Sequence, residues 1–162
     1  MPVLRVATMV DDLVKEFSER STELVRSLGL HAPVQPTQEL TFPSDLSKVT
    51  DDALGQHLSY WCSMCSYAHQ KVSILEGAFV LARNEYDQEF DLRLYNVPGN
   101  SISERKLKVS ASKRIRNMKV RLHTIEADLK ILKAVVLGYD LKNSAISREI
   151  TRRNNERQLR DG

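Results

Sequence analysis

Two cysteines and a histidine lie close together in the sequence and are the residues best suited to metal or redox chemistry. Cys62 and Cys65 form a Cys-x-x-Cys pair, and His69 follows four residues later, which on a helix places it on the same face as Cys65. A functional zinc or redox site of this type needs a second pair or a strand–helix context, and the sequence has neither. Because Cys65 also falls in step with an apolar helical repeat, we interpret both cysteines as small packing residues and predict no metal site.

Motifs for catalysis and cofactor binding are absent from the sequence. The four histidines form no His-Glu-x-x-His pair, and the chain has no glycine-rich phosphate loop and no nucleophile elbow. The adjacent carboxylates Asp51 and Asp52 are accounted for as first-turn residues of a helix, where the helix dipole favours acids. We therefore predict a protein that is not an enzyme and that uses no cofactor.

The strongest charge signal lies between residues 101 and 121. Eight lysines and arginines there oppose a single acid, Glu104, which gives a local net charge of +7. Most of them fall outside the apolar repeat, and a basic stripe of this kind is typical of proteins that neutralise successive phosphates. Tyr95 precedes the stripe on a predicted turn and could stack on an unpaired base. The candidate nucleic-acid-binding residues are therefore Tyr95, Arg105, Lys106, Lys108, Lys113, Arg114, Arg116, Lys119 and Arg121.

Internal pairing is the alternative use of this positive charge. Residues 76–93 carry five acids against two arginines, a net charge of −3, and an antiparallel hairpin would place them opposite the basic stripe. Exposed pairs contribute only about 0–1 kcal/mol each. The surplus of about +4 that remains after such pairing favours a nucleic-acid partner.

The elements that position these residues are predicted from helical periodicity. Residues 5–29 form an amphipathic helix that ends at Gly29, and residues 30–50, with three prolines, form a linker. The apolar residues that define the first helix are Val6, Val10, Leu13, Val14, Phe17, Leu24, Val25 and Leu28.

The sequence predicts a long helical hairpin over residues 51–153. Apolar residues alternate at spacings of four and three along both arms, a heptad seam typical of coiled coils. Thr50 caps the first arm, residues 95–100 form the turn, and Ser101 with Glu104 matches a capping box for the second arm. We expect residues 154–162 to form a loose basic tail. The seam residues expected to build an oligomer include Trp61, Leu75, Phe79, Leu122, Leu129 and Asn143.

The expected fold class is therefore all-α: a long antiparallel, coiled-coil-like hairpin with an additional N-terminal amphipathic helix. Such a hairpin has little core of its own, so we expect a homo-oligomer. No apolar run approaches the roughly 18 residues of a membrane helix, and the first residues lack a signal-peptide layout. With only two cysteines, the sequence predicts a cytoplasmic protein without membrane association.

The chain resembles the small recombination mediator proteins of T-even-type phages. The resemblance covers roughly residues 55–150 and rests on Tyr60-Trp61, Ser66-Tyr67 and Glu76 in one long helix, followed by a basic region and a second long helix. It implies an all-helical, ring-like homo-oligomer that binds single-stranded DNA and loads a recombinase onto it. The partners that it implies are single-stranded DNA, the recombinase and a single-strand binding protein, in the host cytoplasm.

Two other functions are compatible with the same pattern. In the first, the hairpin is an oligomerisation module of a larger structural assembly, such as a phage particle, and its charges select protein partners. In the second, the first helix docks in the groove of a partner through Val10, Leu13 and Phe17. A stripe this apolar more commonly packs back on its own hairpin.

Overall fold

The protein is all-α, and its computed structural model describes the backbone of residues 3–161 and the side chains of residues 12–160. Helix α2 and helix α4 pack antiparallel, and a shorter N-terminal helix is added to them. This confirms the predicted fold class. The side chains of Val6 and Val10, which the sequence places on the apolar face of the first helix, lie outside the described residues. The four helices are α1 (Val3–Ser27), α2 (Asp51–Asn96), α3 (Ile102–Ala111) and α4 (Lys113–Asp161), with a short 3₁₀ helix at Leu46–Lys48.

The predicted helix ends are confirmed by their hydrogen bonds. The Thr50 hydroxyl accepts a bond from the Ala53 N–H at 3.3 Å, and the Ser101 hydroxyl accepts one from the Glu104 N–H at 3.1 Å. Both bonds satisfy N–H groups that have no partner inside the helix. Gly29 follows α1 with φ of 68°, a left-handed conformation that glycine adopts without steric cost.

The second arm of the hairpin differs from the prediction at both of its ends. It is two helices, because Ser112 adopts an extended backbone (φ −66°, ψ 139°) and its hydroxyl accepts a bond from the Ile115 N–H at 3.4 Å as the cap of α4. A serine hydroxyl of this kind competes with the helical backbone bonds. The loose tail predicted from residue 154 is also wrong, since α4 continues to Asp161. Arg152 bridges Glu149 and Glu156 across this region, three and four residues away along the helix. Gly162 lies outside the described residues.

Contacts divide the chain into two compact units, of which the first contains residues 1–30 and 72–131. The buried side chains that the structure describes in this unit come from all four helices: Leu13, Val72, Ile74, Ala78, Ala82, Val109, Ile115, Ile125 and Leu129. Helix α1 joins this unit through Leu13 and through the Phe17 ring, which lies against Gly77 of α2. The first helix therefore packs against its own chain through two of the residues that the sequence offered for docking to a partner.

A methyl group at Gly77 is expected to displace α1. A Cβ placed there would overlap Cε1 of Phe17 and lie 2.6 Å from its Cδ1, and overpacking of this kind costs about 1–3 kcal/mol. In Gly77→Ala, we expect amide hydrogen exchange within residues 12–27 to accelerate by roughly tenfold, which corresponds to about 1.4 kcal/mol. Gly55→Ala is the matched control, because nothing lies within 4 Å of a Cβ at that position of α2. It should leave exchange in α1 unchanged and stabilise α2 by about 0.5–1 kcal/mol. Equal exchange rates in the two variants would contradict the packing of Phe17 on Gly77.

The second unit contains residues 31–71 and 132–162. Its core cluster joins Leu54, Trp61 and Ile146, and three residues of the segment before α2 pack against it: Phe42, Leu46 and Val49. The segment predicted as a linker therefore contributes to a core, since its apolar residues cover the first turns of α2. The Lys142 ammonium lies 3.7 Å from the centroid of the Trp61 ring, a cation–π contact at the edge of this cluster.

The seam residues predicted for oligomerisation are covered within one chain. Trp61 and Leu129 are buried, while Leu75, Phe79 and Leu122 are half-buried. Asn143 is also half-buried, and its Oδ1 is buried without a hydrogen-bond partner among the described residues. The seam is therefore at least partly covered within one chain, and its part in an oligomer stays a prediction.

Candidate nucleic-acid interface

The predicted nucleic-acid-binding residues all lie in the first unit. Tyr95 is in the last turn of α2 and not on the predicted turn at residues 95–100, because the helix continues to Asn96. Three of the cations lie on α3, and five lie on the first three turns of α4. On α4, Arg116, Lys119 and His123 follow at spacings of three and four, so they share one face of the helix. Ile115 and Ile125 belong to the core, with exposed fractions of 1% and 0%, whereas Arg116, Lys119 and His123 are exposed.

Two arginines of the basic stripe are held by the acids of α2. Arg121 Nη1 lies 3.1 Å from Glu85 Oε2, and its side chain is only 11% exposed. Arg114 Nε lies 2.9 Å from Glu89 Oε1, which also accepts a bond from Arg93 at 2.6 Å. These arginines neutralise carboxylates within the unit, and Arg121 presents little surface to a ligand. The alternative of internal pairing therefore accounts for part of the stripe.

Lys108 supports the turn between α2 and α3. Its ammonium lies 2.6 Å from Glu104 Oε1 and donates a hydrogen bond to the Pro98 carbonyl at 3.1 Å. The hydrogen bond from Lys108, followed by that from the Asn100 N–H, holds the pKa of Glu104 below its usual range. This lysine has a structural partner, although about half of its side chain remains exposed.

Four of the remaining cations have no ionic partner among the described residues. Within the part of the chain that the structure describes, no carboxylate lies within 4.0 Å of the basic groups of Lys106, Lys113, Arg116 or Lys119, and all four side chains are exposed. We refer to these residues as the four unpaired cations. Arg105 is different, because its side chain is half-buried and its Nε is buried without an acceptor among the described residues.

The aromatic residues divide between surface and core. Tyr95 is 85% exposed, whereas Trp61 is 6% exposed. The Trp61 ring packs against the rings of Tyr60 and Tyr139, with centroids 4.9 Å and 5.7 Å away. Of the aromatic residues singled out in the sequence, Tyr95 has by far the most surface available for stacking on a base.

The Cys-x-x-Cys pair is not arranged for redox chemistry. Both thiols are free. Cys65 is buried as predicted, whereas Cys62 is exposed, so the interpretation of both cysteines as packing residues is wrong for Cys62. Burial, followed by the hydrogen bond that its thiol donates to Asp140 at 3.1 Å, raises the pKa of Cys65 to about 11. Because the thiolate is the nucleophile in thiol–disulfide exchange, a thiol that stays protonated at neutral pH is a poor participant.

Sequence reasoning missed two polar residues whose contacts span the chain. Asp140 lies beside Cys65, 75 residues earlier, and Arg153 contacts the segment that precedes α2, more than 100 residues earlier. Neither residue belongs to a short motif, so no sequence signal marked its contacts.

Comparison with protein-family models, curated proteins and solved structures finds no match to this chain. Among the described residues, no helix combines the length and apolar character that a membrane crossing requires.

Proposed function

We propose that this chain is a non-catalytic assembly factor that binds single-stranded DNA. The observation that carries the proposal is the set of four unpaired cations on α3 and the start of α4. Lysine and arginine side chains without an internal partner are free to replace the counterions of a phosphate backbone, and the release of those counterions drives binding. The rest of the stripe supports the proposal indirectly, since Arg114 and Arg121 neutralise the acids of α2 that would otherwise repel a phosphate.

Preference for the single strand rests on Tyr95. Phosphate contacts alone do not distinguish single-stranded from duplex DNA, because both present the same charged groups. A tyrosine that is 85% exposed offers a ring on which an unpaired base can stack, and such stacking contributes about 1–3 kcal/mol per base. The bases of a duplex are already stacked on one another and gain little from this ring.

Recombinase loading is the biological role that we propose for this DNA binding. Its support is the resemblance to the recombination mediator proteins of T-even-type phages in helix order, aromatic stretch and basic region. On this proposal, a phage recombinase and a single-strand binding protein are the protein partners, and a homo-oligomer presents several copies of the basic face to one strand.

The test is a titration of labelled oligo-dT and of a duplex of the same length, followed by fluorescence anisotropy at several salt concentrations. Four phosphate contacts per chain predict that log K falls with log[salt] with a slope of about −3 for the single strand. Tyr95→Ala should weaken single-strand binding by roughly 5- to 150-fold and duplex binding much less, while Tyr95→Phe should retain the affinity for the single strand. No binding to either oligonucleotide at low salt would overturn the proposal.

A structural role as an oligomerisation module is the second candidate, and exposed apolar residues on α4 favour it. Leu141 and Val135 are 59% and 39% exposed, and with the small residues Ala134, Gly138 and Ala145 they form a stripe outside the core seam. A second copy of the chain could cover this stripe. Light scattering on the anisotropy samples separates the two functions: an oligomer without DNA affinity supports the structural role.

A further inference from the structure

The second unit brings three metal-ligating side chains together from two helices. Cys65 and His69 are one helical turn apart on α2, and Asp140 approaches from α4. One ligand atom from each residue, the Cys65 Sγ, a ring nitrogen of His69 and a carboxylate oxygen of Asp140, lies within 4.8 Å of the other two. The cysteine is buried, while the histidine and the aspartate are exposed.

We propose that Cys65, His69 and Asp140 form a binding site for a divalent transition-metal ion of the Zn²⁺ class. A thiolate with an imidazole and one carboxylate is a donor set that suits Zn²⁺ and Co²⁺, whereas Mg²⁺ and Ca²⁺ prefer oxygen ligands alone. Three protein ligands leave the fourth tetrahedral position to water. The exposed histidine and aspartate give the ion a route from solvent, and the buried sulfur closes the inner side.

Binding requires only small movements and a simple exchange of a proton. The Cys65 Sγ lies 3.1 Å from Asp140 Oδ1 across an S–H···O bond. An ion placed between these atoms would replace the thiol proton, which leaves to the buffer, and would form one metal–sulfur bond of about 2.3 Å. No oxidant or reductant takes part. Since the ligands come from both α2 and α4, the ion would fasten these helices together and stabilise the second unit.

The neighbouring cysteine distinguishes this site from a simple Cys-x-x-Cys chelate. Cys62 is exposed on α2 and is not among the three residues whose ligand atoms converge. The sequence predicted no metal site because one pair without a second pair is weak evidence. The third ligand comes from a different helix, 75 residues away from Cys65.

The site is tested by titrating the full chain, stripped with EDTA, with Co²⁺ and then with Zn²⁺. The expected result is a thiolate-to-cobalt charge-transfer band in the near ultraviolet with intense tetrahedral bands in the visible, all bleached by Zn²⁺. Cys65→Ser should abolish the charge-transfer band, and Asp140→Asn and His69→Gln should weaken binding by about 100-fold or more. Cys62→Ser and His123→Gln, which remove the other cysteine and an exposed histidine of α4, are the controls and should leave the spectrum unchanged.

Either of two spectroscopic results would overturn the proposal. One is a wild-type chain without a charge-transfer band. The other is a band that is lost in Cys62→Ser and kept in Cys65→Ser, which would mean adventitious binding by the surface thiol. Thermal unfolding with and without Zn²⁺ keeps the test decisive if a variant folds poorly, because a metal that binds only the folded chain must raise the midpoint of the wild type. An unchanged midpoint at saturating Zn²⁺ would also count against the site.

Discussion

Replacing Arg153 with alanine is expected to lower the free energy of unfolding by about 3 kcal/mol, which approaches the range measured when one partner of a buried ion pair is removed. The Arg153 side chain is only 16% exposed, and its guanidinium joins α4 to the segment before α2. It donates hydrogen bonds to the carbonyls of Leu46 (2.8 Å), Ser47 (3.1 Å) and Val49 (2.7 Å). Without it, these carbonyls and the nearby carboxylates lose a shared donor.

Two carboxylates complete the surroundings of this arginine. Arg153 Nη1 lies 2.8 Å from Asp51 Oδ1, and its Nε lies 2.7 Å from Glu149 Oε1. The hydrogen bonds from Arg152 and Arg153 hold the pKa of Glu149 at about 2, well below its ordinary value. Lysine cannot replace this planar guanidinium, because a single ammonium group cannot donate hydrogen bonds to all five of these acceptors. We therefore expect Arg153→Lys to recover only a minor part of the loss.

Arg152→Ala is the matched control for this prediction. Arg152 also pairs with Glu149, at 2.7 Å, but half of its side chain is exposed and its second partner, Glu156, lies on the same helix. An exposed pair of this kind contributes about 0–1 kcal/mol. Chemical denaturation followed by circular dichroism measures the free energy of unfolding of both variants. If the two variants lose the same stability, Arg153 does not anchor the segment that precedes α2.

Reversing the four unpaired cations is expected to weaken single-stranded DNA binding by about a hundredfold. The variant replaces Lys106, Lys113, Arg116 and Lys119 with glutamate. Four exposed charge pairs at roughly 0.7 kcal/mol each sum to about 2.8 kcal/mol, and each 1.4 kcal/mol is a factor of ten. The slope of log K against log[salt] should also become shallower, since each lost phosphate contact reduces the number of counterions released on binding. Anisotropy with oligo-dT at several salt concentrations measures both quantities.

The control variant must carry the same net charge, because a more negative protein repels DNA wherever its charges lie. Four exposed cations outside the basic stripe, none of them in an ion pair among the described residues, serve this purpose when they are changed to glutamate: Lys15, Arg26, Arg148 and Arg160. Both variants change the formal net charge from +3 to −5. If the control weakens binding as much as the test variant, the effect is one of total charge, and these four cations are not the interface.

Arg114 and Arg121 are left unchanged in this experiment. Their reversal would place glutamates beside Glu89 and Glu85 and would damage the packing of α4 on α2. A loss of DNA binding in such a variant could come from unfolding alone. The structure thus separates residues of the basic stripe that stabilise the fold from those that are available to a ligand.

The sequence alone determined the features that depend on near neighbours along the chain. The spacing of apolar residues by three and four predicted α2 and α4, because side chains at these separations share one face of a helix. Thr50 and Ser101 predicted helix starts, and Gly29 predicted a helix end, because caps act within one turn. The confirmed fold class rests on these local rules.

Only the tertiary structure decided which charged and polar groups meet. The pairing of Arg121 with Glu85, the approach of Asp140 to Cys65 and the contacts of Arg153 with the segment before α2 involve no short motif. All three contacts join residues on different elements, and their register depends on how α2 and α4 align when they bury their apolar faces. Periodicity shows which face of a helix is buried. The partner of a surface charge depends on how the two helices align, and the spacing of residues along one helix does not determine that alignment.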